Sequence, residues 1–496
     1  MSEFSNLLNR YIHQKGYSIR SLAKRAGIPV ATLTKLCSGA RSPRNQRDRV
    51  DRISDVLMLT PSQREALTDM LEKEIVGAEN YASRASVKAL IEGMTCTVQP
   101  ARQAAIKTVL PDLVMAEKRT DVYSLMRAFL ENAAQGSTLD IYLPPQDPVL
   151  MEALCRVIRG GTARVRHILA LSASDGKMGA VDPHNLETLR CIQPLLLDLS
   201  GRRDAYQAYY YYERTATLSA SALQFPNVMV SEQGVLLCAA DYNHAMYTGN
   251  PAIQRYFQRL FRTQLNGCRP LIRLCLGLRE QIERYVSVMQ AGDPKQPLLT
   301  LEWQPCLMWA VSEQEIQYFL PQGVPFRNEY INQYIPYLRK IQQWEKAILF
   351  FTRDGLEYFA QTGSLQEIPD DILDGPLPVS MRAELLRRML EGTRQGRIVP
   401  HIVREEKLHI GRDAQLISYG SDTILLASLN HLAGNQVSFI EELSANWCAL
   451  DFLENLENTD WILSTEETCE IIRDVMERCL REQAEEFCEE EEACNV

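Results

Sequence analysis

The sequence predicts a multidomain chain: a small all-α N-terminal domain of five helices, then a large α/β (mixed α+β) region holding two weakly related modules. Three observations predict it. The first seventy residues place apolar side chains at helical spacing around tight glycine turns. From about residue 122 onward, helical stretches alternate with short apolar runs such as Leu139-Asp-Ile-Tyr-Leu143. Charge is divided: residues 1–60 hold eleven Lys or Arg against four Asp or Glu, while the rest hold 42 against 59. A basic head on an acidic body is the electrostatic footprint of a nucleic-acid-binding module fused to something else.

The head reads element by element. Phe4, Leu7, Leu8, Tyr11 and Ile12 form the apolar stripe of a first helix, which Gly16 stops. Ser18 caps a second helix with Ile19, Leu22, Ala23 and Ala26 on its apolar face. Ala23 is small enough to let a neighbouring helix come close. Gly27 supplies the left-handed residue of a sharp helix-to-helix corner, and Ile28 plugs it. A third helix starts at Pro29 or Val30, where proline costs little, and Gly39 ends it. Leu33 and Leu36 face inward, leaving Val30, Ala31, Thr34 and Lys35 outward. Arg41, Arg44, Arg47 and Arg49 follow. Ile53, Val56 and Leu57 mark a fourth helix, and Thr60-Pro-Ser-Gln63 is a capping box opening a fifth.

This order of helices resembles the λ-repressor-like (Cro/XRE) DNA-binding family over about residues 4–72, through Leu22-Ala23, Gly27-Ile28, Leu33, Leu36, Gly39 and Pro43. The resemblance implies that Val30, Ala31, Thr34 and Lys35 read base edges, and that Ser18, Ser38, Arg41 and Arg44 hold phosphates. Lys35 can donate to guanine, Thr34 can bond several bases, and Val30 or Ala31 can touch a thymine methyl. Ile19 stands where a DNA-contacting glutamine is frequent in the family, and Cys37 where a glutamate is frequent. A hydrophobic Ile19 cannot make that polar contact.

The 496 residues suggest two to four domains, and 46% hydrophobic with 23% charged residues excludes a largely disordered chain. No run of about 18 apolar residues is present, so no membrane span is expected. Met-Ser-Glu-Phe-Ser-Asn is not a signal peptide. Thirteen scattered cysteines without a Cys-x-x-Cys pair argue against structural zinc. Cys155, Cys191, Cys238, Cys275 and Cys306 read as small buried hydrophobes of a reducing cytoplasm. Expected boundaries are 1–75 for the DNA-binding domain, 76–120 for a helical hinge, 121–297 for a sensor and dimerisation module, 298–480 for a second module and 481–496 for an acidic tail.

Within the body, helices are expected at Val122–Ala134, Pro148–Ile158, Pro251–Leu265, Met381–Glu391, Val437–Leu456 and Thr465–Glu486. Strands are expected at Leu139–Leu143, Val165–Leu171, Leu298–Val311, Ala347–Phe351, Leu416–Tyr419 and Thr423–Leu429, with a hairpin about Glu232-Gln-Gly234 and a turn at Arg353-Asp-Gly355. Residues 73–120 read as helical and polar. The internal repeat rests on two parallels: Leu125–Gly136 with Leu385–Gly396, and Leu236–His244 with Leu425–His431.

Motifs of chemistry are scarce. The sequence holds no His-Glu-x-x-His, phosphate-cradling Gly-x-x-x-x-Gly-Lys, nucleophile elbow or dinucleotide fingerprint. No catalytic residue, metal or cofactor is assigned, and the body is expected not to be an enzyme. His409-Ile-Gly-Arg-Asp413 reads as a polar turn. Tyr209 and Tyr211, on one face of a tyrosine-rich strand, and Asp241, Asn243 and His244, after another strand, are candidates for a ligand pocket.

The expected protein is therefore a cytoplasmic, bacterial-type transcriptional regulator that binds a double-stranded DNA operator as a homodimer and answers to a small-molecule or protein effector. An antitoxin or phage- or plasmid-linked regulator, and an enzyme with a DNA-targeting head, are the alternatives.

Overall fold

The computed structural model describes residues 2–40, 46–93, 110–133, 138–145, 147–160, 163–173, 183–197, 205–213, 226–275, 278–319, 327–366, 377–412, 414–420, 424–430, 436–440 and 442–494. The chain divides into two compact units, Met1–Ala85 and Ser86–Val496.

The first unit is helical: α1 (Glu3–Gln14), α2 (Ile19–Ala26), α3 (Val30–Ser38), α4 (Arg47–Val56) and α5 (Pro61–Val76), with α6 (Ala78–Gly93) following. Its core is Phe4, Leu8, Leu22, Ala23, Leu33, Leu36, Ile53 and Leu67. Local chemistry fixes the helix ends. Ser18 and Ser21 form a reciprocal capping box on α2, and Thr60 and Gln63 form another on α5. The carbonyls that α3 leaves open at its C-terminal end are taken up by α1. Ser5 donates to the Leu36 carbonyl at 2.8 Å, and the Asn9 amide to that of Cys37 at 2.7 Å.

The second unit is built on two sheets. In chain order it contains β1 (Leu113–Ala116), α7 (Arg119–Ala133), β2 (Thr138–Tyr142), α8 (Pro148–Gly160), β3 (Arg164–Ser172), α9 (Pro183–Leu197), β4 (Tyr206–Glu213), β5 (Asn227–Ser231), β6 (Gly234–Cys238), β7 (Ala245–Thr248), α10 (Pro251–Leu265) and β8 (Arg269–Pro270). Then come β9 (Ile272–Cys275), α11 (Leu278–Gln290), β10 (Leu298–Glu302), α12 (Glu313–Phe319), α13 (Arg327–Ile341), β11 (Ala347–Thr352), α14 (Arg353–Thr362), α15 (Val379–Arg394), β12 (Ile398–Val403), β13 (Ala414–Ser418), β14 (Ile424–Asn430), β15 (Gln436–Ile440), α16 (Leu443–Leu456) and α17 (Thr465–Cys494).

The first sheet runs β1-β7-β6-β5-β2-β3-β4-β8 and the second β12-β11-β10-β13-β14-β15-β9. One topology occurs twice. Three parallel strands with helical crossovers (β2, β3, β4, and again β10, β11, β12) are joined through the first of them to an antiparallel run (β5-β6-β7 and β13-β14-β15). An earlier strand closes each run, β1 on β7 and β9 on β15. The internal repeat is thus a property of the fold. Its second sequence parallel falls on matching strands, β6 and β14. Its first does not: α7 precedes the first parallel strand of its sheet, whereas α15 lies between the second and third. Similar amphipathic spacing, not common position, made those two helices look alike.

One core packs α7, α8 and α9 on the first sheet and continues through α16 to one face of the second; a second core packs α11, α13, α14, α15 and α17 on the other face. Strands β10 and β11 are buried along their whole length, as parallel strands covered on both faces are.

Several expectations change. Residues 73–120 are not wholly helical: Leu113-Val-Met-Ala116 finds a partner in β7 and becomes a strand. The change of sheet falls at Leu271, between β8 and β9, and not at residue 298. The 437–456 stretch is β15 and then α16, because Glu442 caps a new helix start by accepting from Ala445 N–H at 2.9 Å. Likewise Arg353-Asp-Gly355 is no turn but the first turn of α14, capped by Thr352, whose hydroxyl accepts from Gly355 N–H at 2.9 Å. Strand β10 stops at Glu302, and Met308–Ala310 is a 3-10 turn. The tyrosine run forms β4, the Glu232-Gln233 hairpin joins β5 to β6, and α10 spans Pro251–Leu265.

Candidate nucleic-acid interface

Gly27 closes α2 in the left-handed conformation at φ 64°, and its N–H bonds the Ala23 carbonyl. Three residues later, at Val30, α3 begins, and Gly39 ends it at φ 72°. Between the two glycines the helix sorts its faces. Leu33 and Leu36 are buried with Thr32 and Cys37, while Val30, Ala31, Thr34 and Lys35 are exposed. Val30 is 42% exposed. Thr34 donates its hydroxyl to the Val30 carbonyl at 2.9 Å, leaving the oxygen lone pairs and the methyl group outward. Lys35 extends from the same side, so one apolar edge, one hydroxyl and one cation share the exposed face.

The phosphate candidates divide. Ser18 is exposed at the N-cap of α2, where its hydroxyl accepts from Ser21 N–H at 3.2 Å. That helix start also presents the partial positive charge that suits an anion. Ser38 is exposed at the end of α3, bonded to the Lys35 carbonyl at 3.1 Å. Arg41 and Arg44 lie outside the described residues.

Three further cations stand on α2. Arg20, Lys24 and Arg25 are all exposed. Arg25 is held by Tyr17, whose hydroxyl it bonds at 2.8 Å. The signal for them in the sequence is their number: a helix of eight residues with three cations and no acid. Ile19 is half-buried and packs against the core of the head, so this position serves packing. Cys37, buried beneath α3, has its thiol pushed up to about 11 by desolvation, which keeps it neutral.

The ligand-pocket candidates in the body are not brought together. Tyr209 and Tyr211 lie on β4. Asp241, Asn243 and His244 lie between β6 and β7, and β3, β2 and β5 stand between the two groups. At about 4.8 Å per strand that is close to 19 Å. Tyr211 stacks on Tyr142 and bonds its hydroxyl, and Tyr209 bonds Gln207 at 3.1 Å. Asp241 bonds the backbone and the side chain of Asn243 at 3.0 and 2.9 Å, folding the loop on itself, and these bonds hold its carboxyl below the usual range. Arg412, read from the sequence as part of a polar turn whose last residue lies outside the described residues, lies 4.6 Å from the Trp303 ring centre and 4.7 Å from that of Tyr358. Among the described residues no group of His, Cys, Asp and Glu is placed to hold a metal ion. No described helix is long and apolar enough to cross a membrane.

Two short helices meeting at a left-handed glycine, the second exposing a polar and cationic face, define a helix-turn-helix DNA-binding domain. The particular family follows from the sequence of that segment: residues 7–63 match the Cro/C1-type HTH DNA-binding domain, and the head is such a domain. No curated protein matches the chain. Among solved structures, the chain is similar to TrmBL2, an archaeal chromatin protein described as having a novel mode of DNA binding. That match has 9% identity, covers 49% of this chain and 84% of that one, and has a TM-score of 0.22. The chain is also similar to the phosphatidylserine synthase of Haemophilus influenzae Rd KW20, at 9% identity, 82% and 98% coverage and a TM-score of 0.26. A third is the polyphosphate kinase of Porphyromonas gingivalis, at 12% identity, 74% and 55% coverage and a TM-score of 0.22. Likenesses this slight define neither the fold nor the activity of the body.

Proposed function

We propose that the chain is a sequence-specific transcriptional regulator of the XRE type. Helices α1 to α5 act as a λ-repressor-like five-helix head, and α3 enters the major groove with Val30, Ala31, Thr34 and Lys35 against base edges. Ser18, Ser38, Arg41 and Arg44 hold the phosphates on either side. The observation that carries this reading is the exposed face of α3 within a segment that matches a DNA-binding family.

One head makes few base contacts. Two heads of a homodimer, on half-sites about 34 Å apart, multiply the specificity. The body supplies the pairing and answers to a small-molecule or protein effector, without catalysis of its own, in the cytoplasm. Its signal acts by changing the spacing or freedom of the heads, so that both no longer dock together. Genome-wide mapping of bound DNA supplies the operator. On that operator, Lys35→Ala with Thr34→Ala should weaken binding at least about 30-fold, since two base contacts are lost and each good one contributes about 1–3 kcal/mol. Unchanged affinity would overturn the assignment of the reading face.

A further inference from the structure

Charge is spread unevenly along the acidic second unit. Residues 242–279 hold six arginines and no Lys, Asp or Glu. Three of the six form one flank of α10. That helix turns Gln254, Phe257 and Phe261 toward its sheet: Gln254 donates to the Ser231 carbonyl at 2.6 Å, Phe257 packs on Val230, Val235 and Leu237, and Phe261 is buried. At about 100° per residue, Arg255, Arg259 and Arg262 then share one flank, and Ile253 and Leu260 take the other. All three arginines are exposed. Elsewhere in the unit, exposed arginines such as Arg127, Arg156 and Arg190 are held by a glutamate three or four residues away. Arg255 and Arg259 have no acid at any such position.

The sheet continues this surface. Helix α10 lies on β6, β5 and β2, and its arginine flank looks toward β3 and β4. Arg262 is near enough to Asp140 of β2 to favour the charged carboxylate, and the Arg166 guanidinium, from β3, lies 5.5 Å from the Phe261 ring centre. Strand register puts Tyr142, Tyr209 and Tyr211, all half-buried, on the face that carries Arg166, with Arg164 exposed at the start of β3. The carboxylates of this face are engaged: Asp140 by Arg166, and Glu213 by the Tyr211 hydroxyl at 3.4 Å. Arginine and tyrosine are side chains from which proteins draw contacts to DNA phosphates.

We propose that the arginine flank of α10 is a second DNA contact, which holds backbone phosphates of duplex DNA and reads no sequence. From Arg255 to Arg262 the helix rises about 10 Å, a length over which a duplex presents about six charges. Guanidinium groups suit phosphate oxygens through paired N–H donors. The partner is DNA because the same chain carries a DNA-binding head. Once the head is bound, duplex is present at high local concentration, and a contact too weak to act alone is enough to add affinity. A basic amphipathic helix that lies on a lipid surface instead buries its own apolar face there, and the Phe257 and Phe261 face of α10 is already turned to the sheet.

This inference rests on the DNA-binding reading of the head and adds a contact outside it. The test is fluorescence anisotropy of the full chain on a random-sequence duplex of about 40 base pairs, between 50 and 200 mM salt, where each phosphate held contributes about 0.9 to the slope of log affinity against log salt. Arg255→Gln with Arg259→Gln should lower that slope by about 1.8, and Arg255→Lys with Arg259→Lys should retain it, since a lysine still holds a phosphate as a point charge. Arg127→Gln with Arg156→Gln removes the same charge from α7 and α8 and should leave the slope unchanged. Circular dichroism melts that match the wild type verify folding. A glutamine variant with the wild-type slope overturns the contact and leaves the head's reading standing, which Lys35 and Thr34 test separately on the operator. An equal drop in the α7 and α8 variant also overturns it, since net charge alone would then explain the slope. So does a wild-type slope joined to lost binding of vesicles of phosphatidylserine and phosphatidylcholine, which would assign the flank to a membrane. A wild type that binds no duplex at any of these salts overturns both readings.

Discussion

The stability of the body should depend on acid through one histidine. His167 lies fully buried on β3, between Leu143 and Tyr206. Its Nε2 is 2.7 Å from the Leu143 carbonyl, which can only accept, so Nε2 carries the hydrogen and Nδ1 faces the Tyr206 hydroxyl at 2.9 Å. Both nitrogens are satisfied with the ring neutral. Burial lowers the pKa from 6.5 to about 4, against the smaller opposing effect of the Leu143 bond. The unfolded chain therefore binds a proton that the folded chain refuses. The neutral-state stability is fully present above pH 6.5 and falls as the pH drops toward 4. By linkage the loss is about 2 kcal/mol at pH 5 and about 3 kcal/mol at pH 4. Urea unfolding of the body, followed by tryptophan fluorescence between pH 7.5 and 5, should show this loss in the wild type. His167→Gln should be less stable at pH 7.5 but should lack about 2 kcal/mol of the pH dependence. If the variant and the wild type lose stability in parallel, His167 is not the acid-sensitive group and the reasoning fails.

Leu33→Ala removes a fully buried side chain beneath α3 and should cost the head about 2–5 kcal/mol, read by urea unfolding monitored by circular dichroism. Operator binding should fall with it. Gly355→Ala places a Cβ 1.8 Å from the Trp303 carbonyl oxygen, between α14 and the end of β10. It should destabilise the body by at least about 3 kcal/mol or abolish soluble expression. Arg166 forms a two-bond ion pair with Asp140, at 2.8 and 2.9 Å, beneath the Phe261 ring. Burial outweighs that pair and holds the Asp140 carboxyl above its usual range, so Arg166→Met should cost about 3–5 kcal/mol at pH 7 and progressively less as the pH falls and the carboxyl takes up a proton. Replacing Arg20 with Ala should reduce the slope of log affinity for DNA against log salt by about 0.9 if it holds a phosphate, measured by fluorescence anisotropy.

The head was legible because its signals are local. Ser18, Gly27, Gly39 and Thr60-Pro-Ser-Gln63 decide helix ends within a few residues, and Leu33 and Leu36 against Thr34 and Lys35 decide the faces. The same holds for α10, opened by Asn250-Pro251. What the sequence hid depends on partners far along the chain. Leu113-Val-Met-Ala116 is too short to announce a strand without β7. Val437-Ser-Phe-Ile440 merges by composition with the helix after it and is a strand because β14 and β9 flank it. Tyr209 and Asp241 each follow from a sound local reading, yet strand order alone separates them. Matching Leu125 to Leu385 failed for a similar reason, since helical periodicity carries no record of which strand a helix follows.

The pairing of β9 with β15 sets a schedule for synthesis. Cys275 pairs with Val437, about 160 residues later. At about 5–20 residues per second, a ribosome needs roughly 8–32 s to deliver that partner. The DNA-binding head, with its short-range contacts, has emerged and can fold long before then. Meanwhile β9 waits without its strand partner β15, and the half-built second sheet exposes the apolar faces of β10 and β11. The nascent chain is thus a competent DNA-binding head tethered to an unfinished body, and chaperone demand should concentrate between the appearance of β9 and that of β15.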